Sequence, residues 1–240
     1  MIGSLGRQTL HSFNRIATLF AFAYKILYLI IFPPKLGRAL VRRITLEQVY
    51  FTAVQALPVI LPIAILIGAM IIVQFSKFSG QYDLGKITVV ILVREMGPMF
   101  TAFLIILRSA TAVTIEISYM NVFNEMDALE MAGLDPLWVI CVPRLVGITS
   151  AILCLFIVFD IVAIVGGYTI VWVFSYIFIG DYLLQIANAI SVADITVGII
   201  KAVLFGITIT VTCLYHGFKT QQHITQIPVA ASKASVQCFI

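Results

Sequence analysis

Charge is what this sequence has least of: only 11% of its 240 residues are Asp, Glu, Lys or Arg, while 61% are hydrophobic. Soluble globular domains carry about 25% charged residues. A chain of this length cannot hide that much apolar surface in water, so a soluble fold is excluded and lipid is the solvent. Also missing are the segments of alternating polarity, about ten residues each, from which membrane β-barrels are built. The apolar runs here are long and continuous. The four cysteines, Cys141, Cys154, Cys213 and Cys238, form no close pair in sequence and read as small packing residues. The three histidines share no metal-like spacing, so no metal site is expected, and no internal repeat is visible. A cleaved signal peptide fits poorly, because Lys25 breaks the first apolar stretch and Pro33–Pro34 ends it with no small-residue cleavage site.

A nucleotide site is also lacking, despite a decoy. Gly80-Gln-Tyr-Asp-Leu-Gly85-Lys86 has the glycine and lysine spacing of a phosphate-binding loop. Ile87 follows where a Mg²⁺-ligating Ser or Thr is needed, and no strand precedes it. Any ATP chemistry therefore belongs to another chain, and no cofactor is expected on this one.

What is present is a series of helices. On a helical wheel Arg7, His11, Arg15, Thr18 and Lys25 share one side, with Phe13, Ile16, Phe20, Ala23 and Leu27 opposite. That pattern predicts an amphipathic helix lying in the membrane surface, with a true span over Ile16–Phe32 as the alternative. Residues 1–50 hold seven Lys or Arg and one acid, Glu47, which keeps this end in the cytoplasm. Residues 1–45 thus form an interfacial helix and basic linker, and 46–240 a transmembrane domain. From Gln48 to Ser76 there is no charge, enough for the roughly 20 residues a span needs. Pro58 and Pro62 should bend this first span, since each removes a backbone donor. The second starts near Ile87, after an outer loop at Ser76–Lys86, and runs to about Arg108. A polar cytoplasmic stretch, Ser109–Pro136, follows. Residues 145–180 carry only Asp160 and form the third span, a periplasmic segment covers about 178–194, and the fourth span is about Ile195–Tyr215. The fold class is an all-α membrane protein, an interfacial helix followed by four to five transmembrane helices.

Charges inside spans cost about 2.5–3.5 kcal/mol each on insertion scales, so they face the bundle interior or a wet cavity. Arg94 and Glu95 are neighbours and point about 100° apart, so each needs a partner elsewhere. At 1.5 Å per residue Glu95 lies about 12 Å, and Lys201 about 10 Å, below the outer ends of their spans. Asp160 lies about 24 Å above its inner end, also in the outer half. Arg94, Glu95, Asp160 and Lys201 are the candidate cluster. Two readings stay open: a gate or lining for a substrate path, or ion pairs that only hold helices together.

Ser109–Trp138 contains five acids and no Lys or Arg. Asn124 reads as an N-cap, with Glu125 and Asp127 in the first helical turn and Gly133 and Pro136 as stop signals. Val122, Met126 and Leu129 share a face. A short helix over about 121–133, with one apolar stripe and exposed acids including Glu130, suits docking against a soluble partner. The alternative is a loop helix folded back on its own bundle.

Here a family resemblance becomes visible. Arg94-Glu-Met-Gly97-Pro98, then Arg108-Ser-Ala, Glu116, Met120, Glu125-Met-Asp127-Ala-Leu129, Asp135-Pro136 and Pro143-Arg144 resemble, in order, the signature of the MCE-associated (Mla-type) ABC permeases. Weaker similarity covers nearly the whole chain. Leu107, Ile115 and Met96 depart from the family's usual Gly, Ala and Leu. The resemblance implies a homodimeric permease of a bacterial inner membrane, or of a plastid envelope. It would pair with a cytoplasmic ABC ATPase dimer and a periplasmic MCE-domain ring, moving phospholipid or a similar hydrophobic molecule, with no nucleic acid involved. It also implies that Glu116, Met120, Asn124, Glu125, Met126, Asp127, Leu129 and Glu130 belong to an ATPase-coupling segment. Gly97, Pro98, Arg108, Pro143 and Arg144 would be structural motif residues. Family members usually continue into one more apolar helix beyond the point matching Ile240, so that span is either absent here or unusually short.

Two other classes remain to be weighed. A membrane-embedded lipid enzyme needs convergent acids or a nucleophile arrangement on adjacent helices, and none is visible. A stand-alone secondary transporter often shows paired repeats and more spans.

Overall fold

In hydrocarbon every backbone N–H and C=O must be satisfied within the chain, which leaves helices as the natural solution for long apolar runs. The computed structural model describes residues 2–34, 37–76, 89–174, 179–220 and 223–239, and every regular element among them is helical. The outer loop and its glycine-rich decoy at Gly80–Lys86 lie outside the described residues.

Helix α1 spans Ile2–Ile31. Its apolar part, Ala17–Ile31, is about 22 Å long, short of the roughly 30 Å hydrocarbon thickness. Among the described residues four stretches are long and apolar enough to cross: Arg38–Gln74, Val90–Val122, Leu137–Ile170 and Val192–Phe218. The first contains α2 (Arg38–Thr52) and α3 (Leu57–Ser76), joined by a 3-10 turn at Val54–Ala56. The break in this stretch thus falls just ahead of Pro58 and Pro62, the residues expected to bend it. Pro58 occupies the first turn of α3, where a missing N–H costs nothing, and Pro62 lies inside.

The second crossing helix, α4, alternates between two geometries. Val89–Met96 and Ile106–Ala110 are π-helical, and Gly97–Ile105 and Thr111–Val122 are α-helical. It runs past the end expected near Arg108. Ser109, Thr114 and Ser118 look like loop residues in sequence but are fully buried. Thr114 Oγ1 donates to Ala110 O at 2.9 Å, and Ser118 Oγ bonds Thr220 Oγ1 at 2.8 Å. Small hydroxyl side chains serve the contacts between membrane helices and need not signal water. The true loop shrinks to Phe123–Pro136 and contains α5 (Glu125–Met131).

Helix α6 opens as a π-helical turn, Leu137–Cys141, and continues over Val142–Phe174. The expected periplasmic segment contains α7 (Ile179–Ala189). α8 (Val192–Phe218) is the fourth crossing helix, and α9 (Ile227–Cys238) follows a 3-10 turn at Ile224–Gln226.

The chain divides into two compact units. In the first (1–48, 106–147, 207–240), α9 packs its small buried face, Ala230, Ala231 and Ala234, and Gly217 of α8 lies against Ile117. In the second (49–105, 148–206), α3 and α6 approach at backbone distance. A Cβ on Gly68 would overlap the carbonyl of Ala163, and one on Gly167 would strike the backbone of Gly68 and Ala69. Without a hydrophobic force between helices in lipid, such close van der Waals contact drives association. Gly68→Val should therefore force α3 from α6 and cost about 1–3 kcal/mol. A fall in the thermal midpoint of the detergent-solubilised protein, followed by circular dichroism, checks this.

Candidate functional site

The charges of the second unit meet around α4 and α8. Lys201 Nζ lies 2.7 Å from Glu95 Oε2 and donates to the carbonyl oxygen of Arg94 at 3.2 Å. Pro98 has no N–H to offer that carbonyl in α-helical register, so the proline leaves room for the lysine. Arg94 Nη1 reaches Asp194 Oδ1 at 3.7 Å. Arg94 and Glu95, expected to point apart, approach each other only to 4.0 Å. Their side chains are 46% and 56% exposed, on a helix long enough to span. Such charges do not face hydrocarbon without a heavy penalty, so the surface they reach is wet.

Asp160 does not join this network as expected. It is 7% exposed, forms no ion pair among the described residues, and its Oδ1 is buried without a hydrogen-bond partner. The carboxyl lies on Gly97, where a Cβ would collide with Oδ1. Gly97 is thus the residue that lets α6 carry an acid against α4. Thr101 Oγ1 donates to the carbonyls of Gly97 and Pro98 at 2.8 and 3.0 Å.

The place expected for Asp160 is taken by Asp194, which sequence reasoning left in an external segment. Asp194 belongs to a capping box at the start of α8. Ser191 Oγ and Asp194 Oδ2 are 2.7 Å apart, and Asp194 N donates to Ser191 Oγ at 3.3 Å. Ser191-x-x-Asp194 ahead of an apolar run is a recognisable helix-start pattern, and it was the signal available. The cap fixes the carboxylate so that Oδ1 is left to meet Arg94.

In the first unit, the acidic loop folds as a stiff hairpin. Asn124 occupies the N-cap position in the left-handed region (φ 56°), which Asn tolerates, and makes no capping side-chain bond. α5 ends with Gly133 at φ 76°, where Leu134 N donates to Leu129 O and Gly133 N to Glu130 O, a Schellman closure. Asp135 Oδ1 then accepts from Leu137 N at 2.9 Å, so Asp135 and Pro136 open α6 instead of merely stopping α5. Met126 is buried and Leu129 half-buried, while Glu125, Asp127 and Glu130 are exposed, as are Phe123 and Met131.

Glu116 and Met120 lie on α4 ahead of this hairpin, and Met120 is half-buried. Glu116 Oε1 meets Arg144 Nη2 at 2.7 Å, with the arginine side chain only 6% exposed. Arg144 follows Pro143 in the first turn of the α-helical part of α6 and also donates to Ile140 O at 3.4 Å. Asn121 donates to the carbonyls of Phe218 and Thr220 at 3.1 and 2.8 Å, tying the base of the hairpin to the end of α8. Arg108 sits half-buried in the second π-helical turn, and Leu107 beside it is exposed, so the larger residue crowds nothing within this chain.

The fold and these partnered intramembrane charges define a multi-pass, all-α membrane protein of the transport class. The family model described as Permease MlaE matches residues 45–240, and the chain belongs to that family. It is 28% identical over 247 residues to a Haemophilus influenzae protein named "Intermembrane phospholipid transport system permease protein MlaE", covering all of this chain and 92% of that one. It is 26% identical over 242 residues to a Rickettsia felis "Probable ABC transporter permease protein", covering 99% and 91%. A Synechocystis "Probable ABC transporter permease protein" is 28% identical over 185 residues, covering 75% and 70%.

Glu116→Gln would leave the Arg144 guanidinium buried without its counter-charge and should cost about 2 kcal/mol. The double variant Glu116→Gln/Arg144→Met should recover most of that loss. Chemical or thermal unfolding of the three proteins in one detergent measures both effects.

Proposed function

We propose that this chain is the membrane-spanning subunit of an ABC-type transporter that moves phospholipid, or a similar hydrophobic molecule, between membranes. ATP is hydrolysed on a separate cytoplasmic ATPase dimer. The permease works as a homodimer in a bacterial inner membrane and meets an MCE-domain ring on the periplasmic side. The observation that carries this reading is the half-exposed network of Arg94, Glu95, Asp194 and Lys201 on helices of spanning length. A purely structural set of ion pairs would be expected to seal itself from solvent. This one leaves charge available to a zwitterionic or anionic headgroup while the surrounding helices stay apolar for acyl chains. The Haemophilus relative's name supplies the substrate class.

The hairpin around α5 is the coupling segment of this reading. Its exposed acids complement a basic groove on the ATPase, and Met126 and Leu129 hold the helix to its own bundle. Asn121 and the Glu116–Arg144 pair stiffen the base, so a push on α5 is passed into α4, α6 and α8 rather than absorbed by a soft loop.

Two experiments test the parts separately. In reconstituted proteoliposomes with ATPase and MCE partners, Glu95→Gln and Lys201→Met should each lower ATP-driven lipid transfer about tenfold, the equivalent of ~1.4 kcal/mol. Complex assembly should stay intact. Wild-type transfer in both variants would remove the substrate-path role and leave only ion pairing between helices. Lysine substitution of Glu125, Asp127 and Glu130 together should release the ATPase in a pull-down, and undiminished capture would sink the coupling role. Co-purification of neither partner with the wild-type chain would favour a stand-alone secondary transporter or a membrane-embedded lipid enzyme.

A further inference from the structure

The end of α8 and the start of α9 enclose a cavity of about 460 Å³ that has no part in the charge network described above. Its polar lining is Tyr215, His216, Lys219, Thr220, Gln226 and Lys233, with no carboxylate among them. The lysine just past the end of α8 is held in place. Lys219 Nζ lies 3.3 Å from Tyr215 Oη and 5.4 Å from the centroid of the same ring. The His216 ring is fixed by Gln237 Oε1 at 2.5 Å, and Thr220 is anchored by Ser118. A concave site with two ammonium groups and no opposing charge attracts an anion. Tyr215 and Gln226 carry an O–H and an N–H that can donate to a phosphate oxygen.

The depth of the cavity within this unit is marked by α1. Phe22 packs on Tyr215 and on Phe218, with ring centroids 6.4 and 5.9 Å apart. The same helix leaves Phe20, Tyr24 and Tyr28 exposed. Aromatic side chains of this kind collect at the headgroup level of a bilayer. The wall of the cavity is therefore built against the element that lies nearest the phosphate layer, on the face where the chain concentrates Lys and Arg.

We propose that this cavity binds a phosphate group through Lys219 and Lys233, with Tyr215 and Gln226 as further donors. The group belongs either to an anionic lipid headgroup of the adjacent leaflet or to a free phosphate anion. In both cases the site is separate from the one at Arg94 and Lys201. Binding there would clamp α8 to α9.

The test uses the purified full chain. In nanodiscs of phosphatidylcholine doped with phosphatidylglycerol, native mass spectrometry reads the anionic lipid retained after release. In detergent, the thermal midpoint is measured in sodium phosphate against sodium chloride at equal ionic strength. Lys219→Gln/Lys233→Gln should lower phosphatidylglycerol retention by about fivefold per lysine, which is ~1 kcal/mol each. Lys219→Arg/Lys233→Arg should keep it, and that variant also controls for folding. A phosphate-specific rise in midpoint that the Gln variant loses, without lipid retention, supports the site and assigns the free anion as its ligand. Retention that falls in Lys201→Met but not in the Gln variant places the lipid at the other site and overturns this proposal while leaving the transport reading intact. Equal behaviour of wild type and the Gln variant in both arms also overturns it.

Discussion

A charged group on a helix surrounded by hydrocarbon must find a protein partner or water, and the second unit is organised around that requirement. Four of the five residues of Arg94-Glu-Met-Gly97-Pro98 answer part of it. Glu95 receives Lys201, and Arg94 reaches Asp194. Gly97 gives Asp160 a place to lie, and Pro98 withholds an N–H from a carbonyl that the lysine ammonium contacts. The motif reads as five unrelated residue types in one dimension. In space it is a single arrangement for bringing charge from three helices, α4, α6 and α8, to one level. The π-helical geometry of Val89–Met96 is consistent with this, since such bulges recur where a helix re-aims side chains at a functional site.

The first unit follows a different logic, because the polar groups buried between its helices are small and mostly neutral. Serine and threonine hydroxyls face helices instead of solvent, and alanine and glycine let α4, α8 and α9 approach closely. Arg144, the one buried cation among the described residues, is placed by a proline-led helix start and neutralised from α4 by Glu116. Around α5 the backbone is closed at both ends, by a left-handed Asn124 before it and a Schellman turn with an aspartate cap after it. Such closures leave few soft torsions between the acidic surface and the helices behind it.

Much of this was legible in one dimension, for reasons that differ by element. The uncharged run from Gln48 to Ser76 could only be a span, and Gly133 with Asp135-Pro136 marked the end of one helix and the region of the next. Equal depth along separate spans was enough to bring Glu95 and Lys201 to the same level. The second span was cut short because Ser109, Thr114 and Ser118 carry the composition of a loop, and burial of a hydroxyl against a neighbouring helix leaves no trace in hydropathy. Asp160 and Asp194 exchanged parts for a related reason. Depth specifies how far along a helix a carboxylate lies, not the direction it points. The cap at Ser191, a local pattern, decided the matter. The cavity between α8 and α9 left no sequence signal at all, since Tyr215, Lys219 and Lys233 come together only where the end of α8 meets α9.

Lys201 makes two bonds, one to the side chain of Glu95 and one to the main-chain carbonyl of Arg94, both on α4. A carboxylate alone could follow the ammonium through a range of positions, but a main-chain carbonyl cannot. Together they act as a two-point fastening that opposes both rotation of α8 about its own axis and a slip of one helical turn, about 5.4 Å, along α4. What remains available locally is bending. The irregular turn of α4 in this unit, Val89–Met96, is the natural place for such a bend.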